Sequence, residues 1–222
     1  MVRAATRDLS IVQRESQTTD ARPAAEAAAH PGLWHNRDFA LLWTSQLISS
    51  LGSRLSSFAY PLLVLATTGS AAKAGVVGFA SQIPDLLFQL PAGALVDRLD
   101  RKRIMMFAEV ARALALGAVA AAVALHHTEL WILCAAAFVE GTGLVFFFNA
   151  ETGSVRNIVG PDQLPAALSW TQARAKGVGL AGQPLGGLLF QLGRSLPFLV
   201  DAVSYVVSAL SIRAMWFPAS EA

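Results

Sequence analysis

Charged side chains are scarce in this chain. Asp, Glu, Lys and Arg make up 14% of its 222 residues, and hydrophobic residues make up 54%. A soluble protein carries about 25% charged residues, which it needs to cover its surface. Together with a mean hydropathy of +0.49, this shortage argues against a soluble domain and predicts a membrane protein.

Cysteine is almost absent as well. The single Cys134 lies within an apolar run, so no internal disulfide can form and no pair has metal-ligand spacing. The sequence also lacks a Walker loop, a G-x-S-x-G elbow and a metal-binding motif. These absences predict a protein that is not an enzyme and has neither a cofactor nor a metal site.

A basic stripe of the kind that binds nucleic acid is missing too. The isoelectric point is near 9.0, but the Lys and Arg residues stand at the ends of apolar segments. Nucleic-acid binding requires bases that share one face. We therefore expect membrane lipid, and not nucleic acid, to surround this chain.

Six apolar segments are long enough to cross a bilayer, which takes about 20 residues each. They run over residues 39–66, 74–96, 104–125, 130–150, 167–192 and 196–216. Gly52, Pro61, Gly182 and Pro184 interrupt the first and the fifth segments. Such residues are tolerated in membrane helices, where neighbouring helices satisfy the backbone groups. The predicted fold is an all-α membrane protein with six transmembrane helices and a cytoplasmic loop over residues 151–166.

The domain organisation follows from these segments. Residues 1–37 mix acids, bases and alanine without the apolar core of a signal peptide. We interpret them as a disordered cytoplasmic tail, with a surface-bound amphipathic helix as the alternative. Residues 38–217 form the six-helix transmembrane domain, and residues 218–222 form a short C-terminal tail.

Basic residues predict the orientation. Nine Lys or Arg residues lie in the tail and in the turn at 98–103. The turns on the opposite side contain only Lys73 and Arg194. Because cytoplasmic loops are enriched in Lys and Arg, both termini are predicted to be cytoplasmic.

A weak internal repeat relates the two halves of this domain. A shift of 93 residues places Pro91-Ala-Gly-Ala-Leu-Val on Pro184-Leu-Gly-Gly-Leu-Leu and Arg101 on Arg194. By the predicted orientation, the end of the second segment lies on the cytoplasmic side of the membrane and the matching end of the fifth segment lies on the opposite side. This relation predicts two inverted three-helix repeats, the unit from which one transporter half is built.

The turn between the second and third segments contains the most specific motif. Its residues Gly93, Asp97, Arg98, Arg101 and Lys102 match the pattern G-x-x-x-D-R-x-G-R-R/K. With this motif the chain resembles the major facilitator superfamily. Shorter stretches are similar to its macrolide and enterobactin exporter branch; these are Leu51-Gly-Ser, Pro61 to Ser70, Leu90-Pro-Ala-Gly, Pro184-Leu-Gly-Gly and Pro197 to Tyr205.

The resemblance implies a function and a missing partner. Family members have twelve spans in two halves with the substrate path between them, and this chain resembles the amino-terminal half. We expect proton-coupled efflux of a small organic substrate, together with a second half or a second copy in a homodimer. A non-transporting six-span scaffold or regulatory protein is the alternative, as is an inactive truncated fragment.

Two positions depart from the family pattern. Asp100 stands where the hairpin turn usually has glycine, so we expect a turn residue with positive φ and slight strain. In the fifth segment, Gly182-Gln-Pro places proline one residue later than the antiporter motif G-P-x-x-G-G. This second departure weakens the inference of antiport.

Charged residues inside the apolar segments are the candidate substrate and proton pathway, because a charge in the bilayer costs free energy unless it is paired or faces water. Counting from segment ends places Arg54, Asp85 and Glu140 near the midplane as a mutually stabilised cluster. Glu140 or Asp85 would take up a proton beside Arg54. By the resemblance, the first and fourth segments line the central cavity, which favours Arg54 and Glu140, and Asp85 would face the second half or the edge of the cavity. The alternative is a structural ion pair or a set of side chains that line water.

Other intramembrane charges favour structural roles. Glu109 and Arg112, three residues apart, are predicted to pair on one helix face. Arg174 and Lys176 are predicted to extend their long side chains toward the interface. Asp201 is predicted to pair with Arg194.

Two further groups of residues are candidates for a role in movement between the two transporter halves. In the family, the position of Asp97 latches the two halves together; the alternative is a solvated loop charge. Gly182, Gly186 and Gly187 make one side of the fifth segment smooth. Small residues let helices approach closely, either for packing inside this domain or for sliding against the other half.

Overall fold

The computed structural model describes residues 33–215, and the regular structure in this range is helical. Six α-helices are α1 (Arg37–Thr68), α2 (Ala71–Val96), α3 (Arg101–Ala124), α4 (Leu130–Ile158), α5 (Leu164–Leu192) and α6 (Leu196–Ala214). Short 3-10 turns occur at Leu33–His35 and Pro161–Gln163. The chain divides into two units after Asn36, and all six α-helices belong to the second unit.

Each of the six apolar segments coincides with one helix, but the loop predicted at 151–166 is wrong. Helix α4 continues to Ile158, because Glu151, Ser154 and Val155 face inward and are buried. Most of the tail predicted at 1–37 lies outside the described residues, and its last residues form the first 3-10 turn and the start of α1. The short tail at 218–222 lies wholly outside them.

The helices α1 and α5 run continuously through Pro61 and Pro184, as expected of residues that a membrane helix tolerates. The nearby glycines serve close packing. A Cβ atom on Gly52 would collide with the Ser204 hydroxyl and would lie 2.5 Å from a carboxylate oxygen of Asp201. Gly52 therefore permits α1 and α6 to touch.

The packing of the helices defines the unit. Helix α1 packs against α5, α6 and α2, whereas α4 packs against α2 and α3, and α3 also packs against α6. An apolar core fills the end where α1 and α3 finish and where α4 and α6 begin. In this core the Tyr60 and Phe198 rings meet edge to face at 5.0 Å.

The outer faces of the helices are apolar and exposed. Leu90 is 88% exposed, Leu86 84% and Leu180 82%. Such faces require a membrane or a protein partner to cover them. Among the described helices, α3, α4 and α6 are long and apolar enough to cross a membrane. Helices α1, α2 and α5 are longer than α6, at 26–32 residues, but polar residues are spread more widely along them.

Glycines of α5 form a close contact with α1. A Cβ atom on Gly182 would collide with Cβ of Arg54, and one on Gly186 would lie 3.1 Å from the Leu55 carbonyl oxygen. At Gly187 the nearest atom is a ring carbon of Phe58, at 3.4 Å. Of the two alternatives for these glycines, the structure shows packing inside the six-helix unit.

The close contact between α5 and α1 predicts how one added methyl group changes the stability of the unit. Gly182→Ala should lower the free energy of unfolding by about 1–3 kcal/mol, because the added methyl overpacks a close helix contact. Gly177→Ala is the matched control, since a Cβ at Gly177 meets nothing within 4 Å. The control should be neutral or stabilising by up to about 1 kcal/mol. Thermal unfolding of both variants in detergent measures the difference, and equal melting temperatures would contradict the packing role.

Candidate functional site

A buried carboxylate on α3 organises a polar centre between helices. Glu109 is fully buried, and its Oε1 accepts a hydrogen bond from the Ser208 hydroxyl at 2.8 Å. On the α1 side, Ser49 donates to the same oxygen at 3.3 Å and Gln46 Nε2 at 3.4 Å. The carboxylate thus joins α1, α3 and α6, and these donors offset the cost of burying it.

One turn along α3, Arg112 is buried beside Glu109. Its Nη1 lies 3.8 Å from Glu109 Oε2, which confirms the predicted pair. Nη2 donates to the Tyr205 hydroxyl at 2.6 Å and to Ser53 Oγ at 3.1 Å. A Cβ atom on Gly143 of α4 would lie 2.5 Å from Arg112 Cγ. Glycine at this position therefore makes room for the arginine.

Tyr205 of α6 carries this network on to α4. Its hydroxyl donates to Glu140 Oε1 at 3.2 Å, and Ser53 Oγ lies 2.9 Å from the same hydroxyl. The guanidinium of Arg112 also lies 4.0 Å from the centre of the Tyr205 ring. A continuous polar path therefore runs from Glu109 through Arg112 and Tyr205 to Glu140, and we call these four residues the polar relay.

Asp201 lies one turn before Tyr205 on α6 and is fully buried. The Ser56 hydroxyl donates to its Oδ2, and Ser204 Oγ donates to its Oδ1 at 3.2 Å. The predicted pair with Arg194 is wrong. Asp201 faces inward toward α1, whereas Arg194 is exposed in the turn between α5 and α6.

The cluster predicted for Arg54, Asp85 and Glu140 is also wrong. Arg54 and Asp85 are exposed, and among residues 33–215 neither of them forms an ion pair. Counting along a helix addresses only the depth of a side chain, and depth does not specify the face on which it lies. Of the three residues, only Glu140 joins the polar relay.

A second buried ion pair connects α4 to α5. Arg174 Nη2 lies 2.8 Å from Glu151 Oε1, and both side chains are only 6% exposed. The prediction that Arg174 extends to the interface is therefore wrong, because a buried carboxylate holds it. Lys176, two residues later, is exposed.

The hairpin turn ties α2 and α3 to α4. Asp97 is the C-cap residue of α2, and its Oδ1 lies 3.3 Å from Nη2 of Arg101. Nη1 of the same arginine donates to the Gly153 carbonyl at 3.0 Å. Arg98 is exposed, and a Cβ on Gly93 would approach only Asn149 Oδ1, at 3.9 Å. The Gly93 position thus has room for a side chain within this unit.

Lys102 connects the same turn to the end of α6. Its Nζ donates to the carbonyl oxygens of Met215 at 2.6 Å and Arg213 at 3.0 Å. The last carbonyls of a helix have no partner in the helix and carry partial negative charge. A lysine at this position therefore stabilises the C-terminus of α6.

The strain expected at Asp100 is absent, so this prediction is wrong. Asp100 has φ −63° and is the N-cap of α3, where its Oδ1 accepts from the backbone N–H of Lys102 at 2.9 Å. Aspartate is among the best N-cap residues. The departure from the glycine pattern thus provides a helix cap.

Sequence reasoning missed the polar faces that complete the relay. Polar residues recur at helical spacing on α6, at Asp201, Ser204, Tyr205 and Ser208, and on α1, at Ser45, Ser49, Ser53 and Ser56. A polar stripe inside an apolar helix is the signal that could have revealed this interface. Among residues 33–215, no three His, Cys, Asp or Glu side chains are grouped so that they could hold a metal ion.

The hairpin motif and six-helix packing agree with a comparison to known families. The sequence profile of the Major Facilitator Superfamily matches residues 42–222. The chain belongs to this superfamily. The transporter class expected from the hairpin motif is thereby confirmed, and the helices described above fit its all-helical membrane fold.

Relatives agree with the exporter branch. The chain is 29% identical to the multidrug efflux pump Tap of Mycolicibacterium fortuitum, over 79% of this chain and 44% of that protein. It is 24% identical to macrolide efflux protein A of Streptococcus pyogenes, over 81% of this chain and 45% of that protein. The chain thus spans about half the length of the curated relatives it matches.

Proposed function

We propose that this chain is the amino-terminal six-span half of an efflux transporter that exchanges small organic molecules for protons. The observation that carries the proposal is the polar relay, which is buried between helices of a transporter family. The efflux-pump relatives of this chain support efflux as the direction of transport. The cell membrane is the proposed location, with both termini in the cytoplasm.

The polar relay suits proton coupling because its charged groups cost free energy inside the membrane and because its four side chains form one continuous path. Charged groups inside a membrane segment cost several kcal/mol unless they are paired, and they mark ion or substrate paths. Glu140 lies at the end of the relay and is half-buried, so it is the proposed proton carrier. Arg112 and Tyr205 hold its surroundings in place.

Arg54 and Asp85 have a different proposed position. Both side chains are exposed in the six-helix unit, and an unpaired charge at membrane depth must face water or a partner. We therefore place them on the substrate path between this half and the second half. The second half is either a different six-span segment or another copy of this chain.

The packing of the helices supports two inverted repeats. If α1, α2 and α3 are exchanged with α4, α5 and α6, the α1–α5 contact becomes the α4–α2 contact. The α1–α6 contact likewise becomes α4–α3, and α3–α6 maps onto itself. This exchange is the relation expected of three-helix repeats in a transporter half.

Topology provides a direct test of the orientation. In a Cys134→Ala background, a cysteine at the exposed Arg98 should resist an impermeant thiol reagent in intact cells, because the basic turn lies inside. A cysteine at His127, which is exposed at the opposite end of the unit, should react. Labelling of position 98 but not position 127 would invert the proposed orientation.

Asp97 remains the proposed latch to the second half. Its side chain is 75% exposed although it pairs with Arg101, so its carboxylate can accept further hydrogen bonds from a partner. If the latch exists, Asp97→Asn should make a cysteine on the cytoplasmic side of the substrate path more accessible. An unchanged accessibility would leave Asp97 as a loop charge.

Transport itself is tested by expressing the chain in three forms in cells without their own exporters. These are the chain alone, a tandem fusion of two copies, and the chain with the carboxy-terminal half of macrolide efflux protein A. Because one half encloses only one wall of a path, the chain alone as a monomer should not lower erythromycin accumulation, and a completed assembly should. Correctly inserted assemblies that leave accumulation unchanged would favour a non-transporting scaffold or a fragment.

A further inference from the structure

A cleft of about 570 Å³ opens at the end of the unit opposite the hairpin turn. Its apolar lining includes the exposed Ala66 of α1 and Ala124 of α3, with the buried Leu63 and Val123 behind them. Its rim is polar and comes from the α3–α4 turn, with His126 and Thr128, and from the α5–α6 turn, with Arg194. This volume lies in the range of small-molecule sites, which are about 300–1,000 Å³.

The rim of the cleft is electropositive. Arg194 is exposed, and it forms no ion pair or side-chain hydrogen bond with any of the described residues. The neighbouring Ser195 is the N-cap of α6 but makes no capping hydrogen bond, so the positive end of the helix dipole adds to the arginine charge. Both residues line the cleft.

Acidic groups do not neutralise this rim. Among the described residues, those that line the cleft include neither Asp nor Glu. Glu129 follows Thr128 in the chain but is not among the lining residues, and its Oε2 accepts a hydrogen bond from Trp131 Nε1 at 2.7 Å. The rim can therefore accept a negatively charged group.

Hydroxyl groups complete the lining. Thr128 and Ser195 line the cleft, and their side chains make no hydrogen bond to the described part of the chain. His126, in the α3–α4 turn, has φ 59°, an uncommon left-handed conformation for a residue other than glycine. Hydroxyls and an imidazole beside an arginine are donors that suit a phosphate group.

We propose that this cleft binds the phosphate group of an amphiphilic anion. Arg194 pairs with the phosphate oxygens, Thr128 and Ser195 donate hydrogen bonds, and the exposed apolar side chains of Ala66 and Ala124 contact the adjoining hydrocarbon. An anionic lipid headgroup combines these two features, while free phosphate offers only the first. The site lies within the six-helix unit and does not depend on the proposed transport.

The test uses the whole chain in neutral detergent at constant ionic strength. Dihexanoyl phosphatidylglycerol and inorganic phosphate are titrated separately, and binding is measured by microscale thermophoresis and native mass spectrometry. We expect saturable binding of the lipid and weaker binding of phosphate. Phosphate that binds as tightly as the lipid would support the same site with the free anion as its ligand. Failure of both probes to saturate would overturn the proposal.

Variants separate a specific site from general positive charge. Arg194→Gln should weaken lipid binding by about tenfold or more, because a charge-assisted hydrogen bond is lost. Lys73→Gln removes the same charge from a residue outside the cleft lining and should leave binding unchanged. If Arg194→Gln does not fold, His126→Asn, which tolerates the left-handed backbone, should weaken binding relative to Lys73→Gln. Equal effects of the lining variant and Lys73→Gln would contradict the site.

Discussion

Arg112→Met should destabilise the six-helix unit by about 3–5 kcal/mol, the usual effect of breaking a buried ion pair by removing one partner. Methionine fills part of the space but leaves Glu109 without its arginine and removes a hydrogen bond to Tyr205. The contact with Ser53 is lost as well. Unfolding of the purified chain in detergent micelles with added denaturant measures the change.

The matched control is Arg54→Met. Arg54 is exposed and forms no ion pair with a described residue, and methionine keeps the aliphatic stem that contacts Gly182. Its effect should stay within about 0.5 kcal/mol, as for most surface substitutions. If the two variants unfold at the same denaturant concentration, the polar relay does not stabilise the fold.

Glu140→Gln should reduce efflux driven by a pH gradient to background while the protein stays folded. Glutamine can still accept the hydrogen bond from Tyr205, which Glu140 Oε1 accepts at 3.2 Å, but it cannot bind and release a proton. Exchange of substrate without a pH gradient should continue, because that process needs no proton. Both fluxes are measured in proteoliposomes that contain the assembly found to transport.

Glu129→Gln is the control for this prediction. Glu129 lies in the exposed α3–α4 turn, outside the polar relay, and its replacement should leave pH-driven efflux unchanged. Loss of both fluxes in Glu140→Gln, with normal folding, would indicate a role in substrate binding. Retention of pH-driven efflux would exclude Glu140 as the proton carrier.

Structural features that depend on local chemistry could be predicted from the sequence. Apolar runs located the helices, because a membrane span must be apolar over about 20 residues. The Glu109–Arg112 pair follows from spacing alone, since residues three apart are neighbours on one helix. Asp100 shows the limit of pattern matching. Its fit to a glycine motif predicted strain, whereas its own side-chain chemistry makes it a good N-cap.

Positions set by contacts between helices could not be predicted. Arg54, Asp85 and Glu140 were predicted to lie at similar depth, yet only Glu140 meets a partner among the described residues, because the rotation of each helix decides which face is buried. Arg174 pairs with Glu151 across 23 residues of sequence. That contact required α4 to extend beyond its apolar stretch.

The sequence by itself determined that this protein is helical, membrane-embedded and built around a basic hairpin. Composition, segment length and motif spacing are local properties that a chain carries before it folds. Tertiary structure alone decided that Tyr205 joins Arg112 to Glu140, that Lys102 stabilises the end of α6, and that Arg194 faces an open cleft. These contacts depend on which helix faces pack together, and packing is a property of the whole chain.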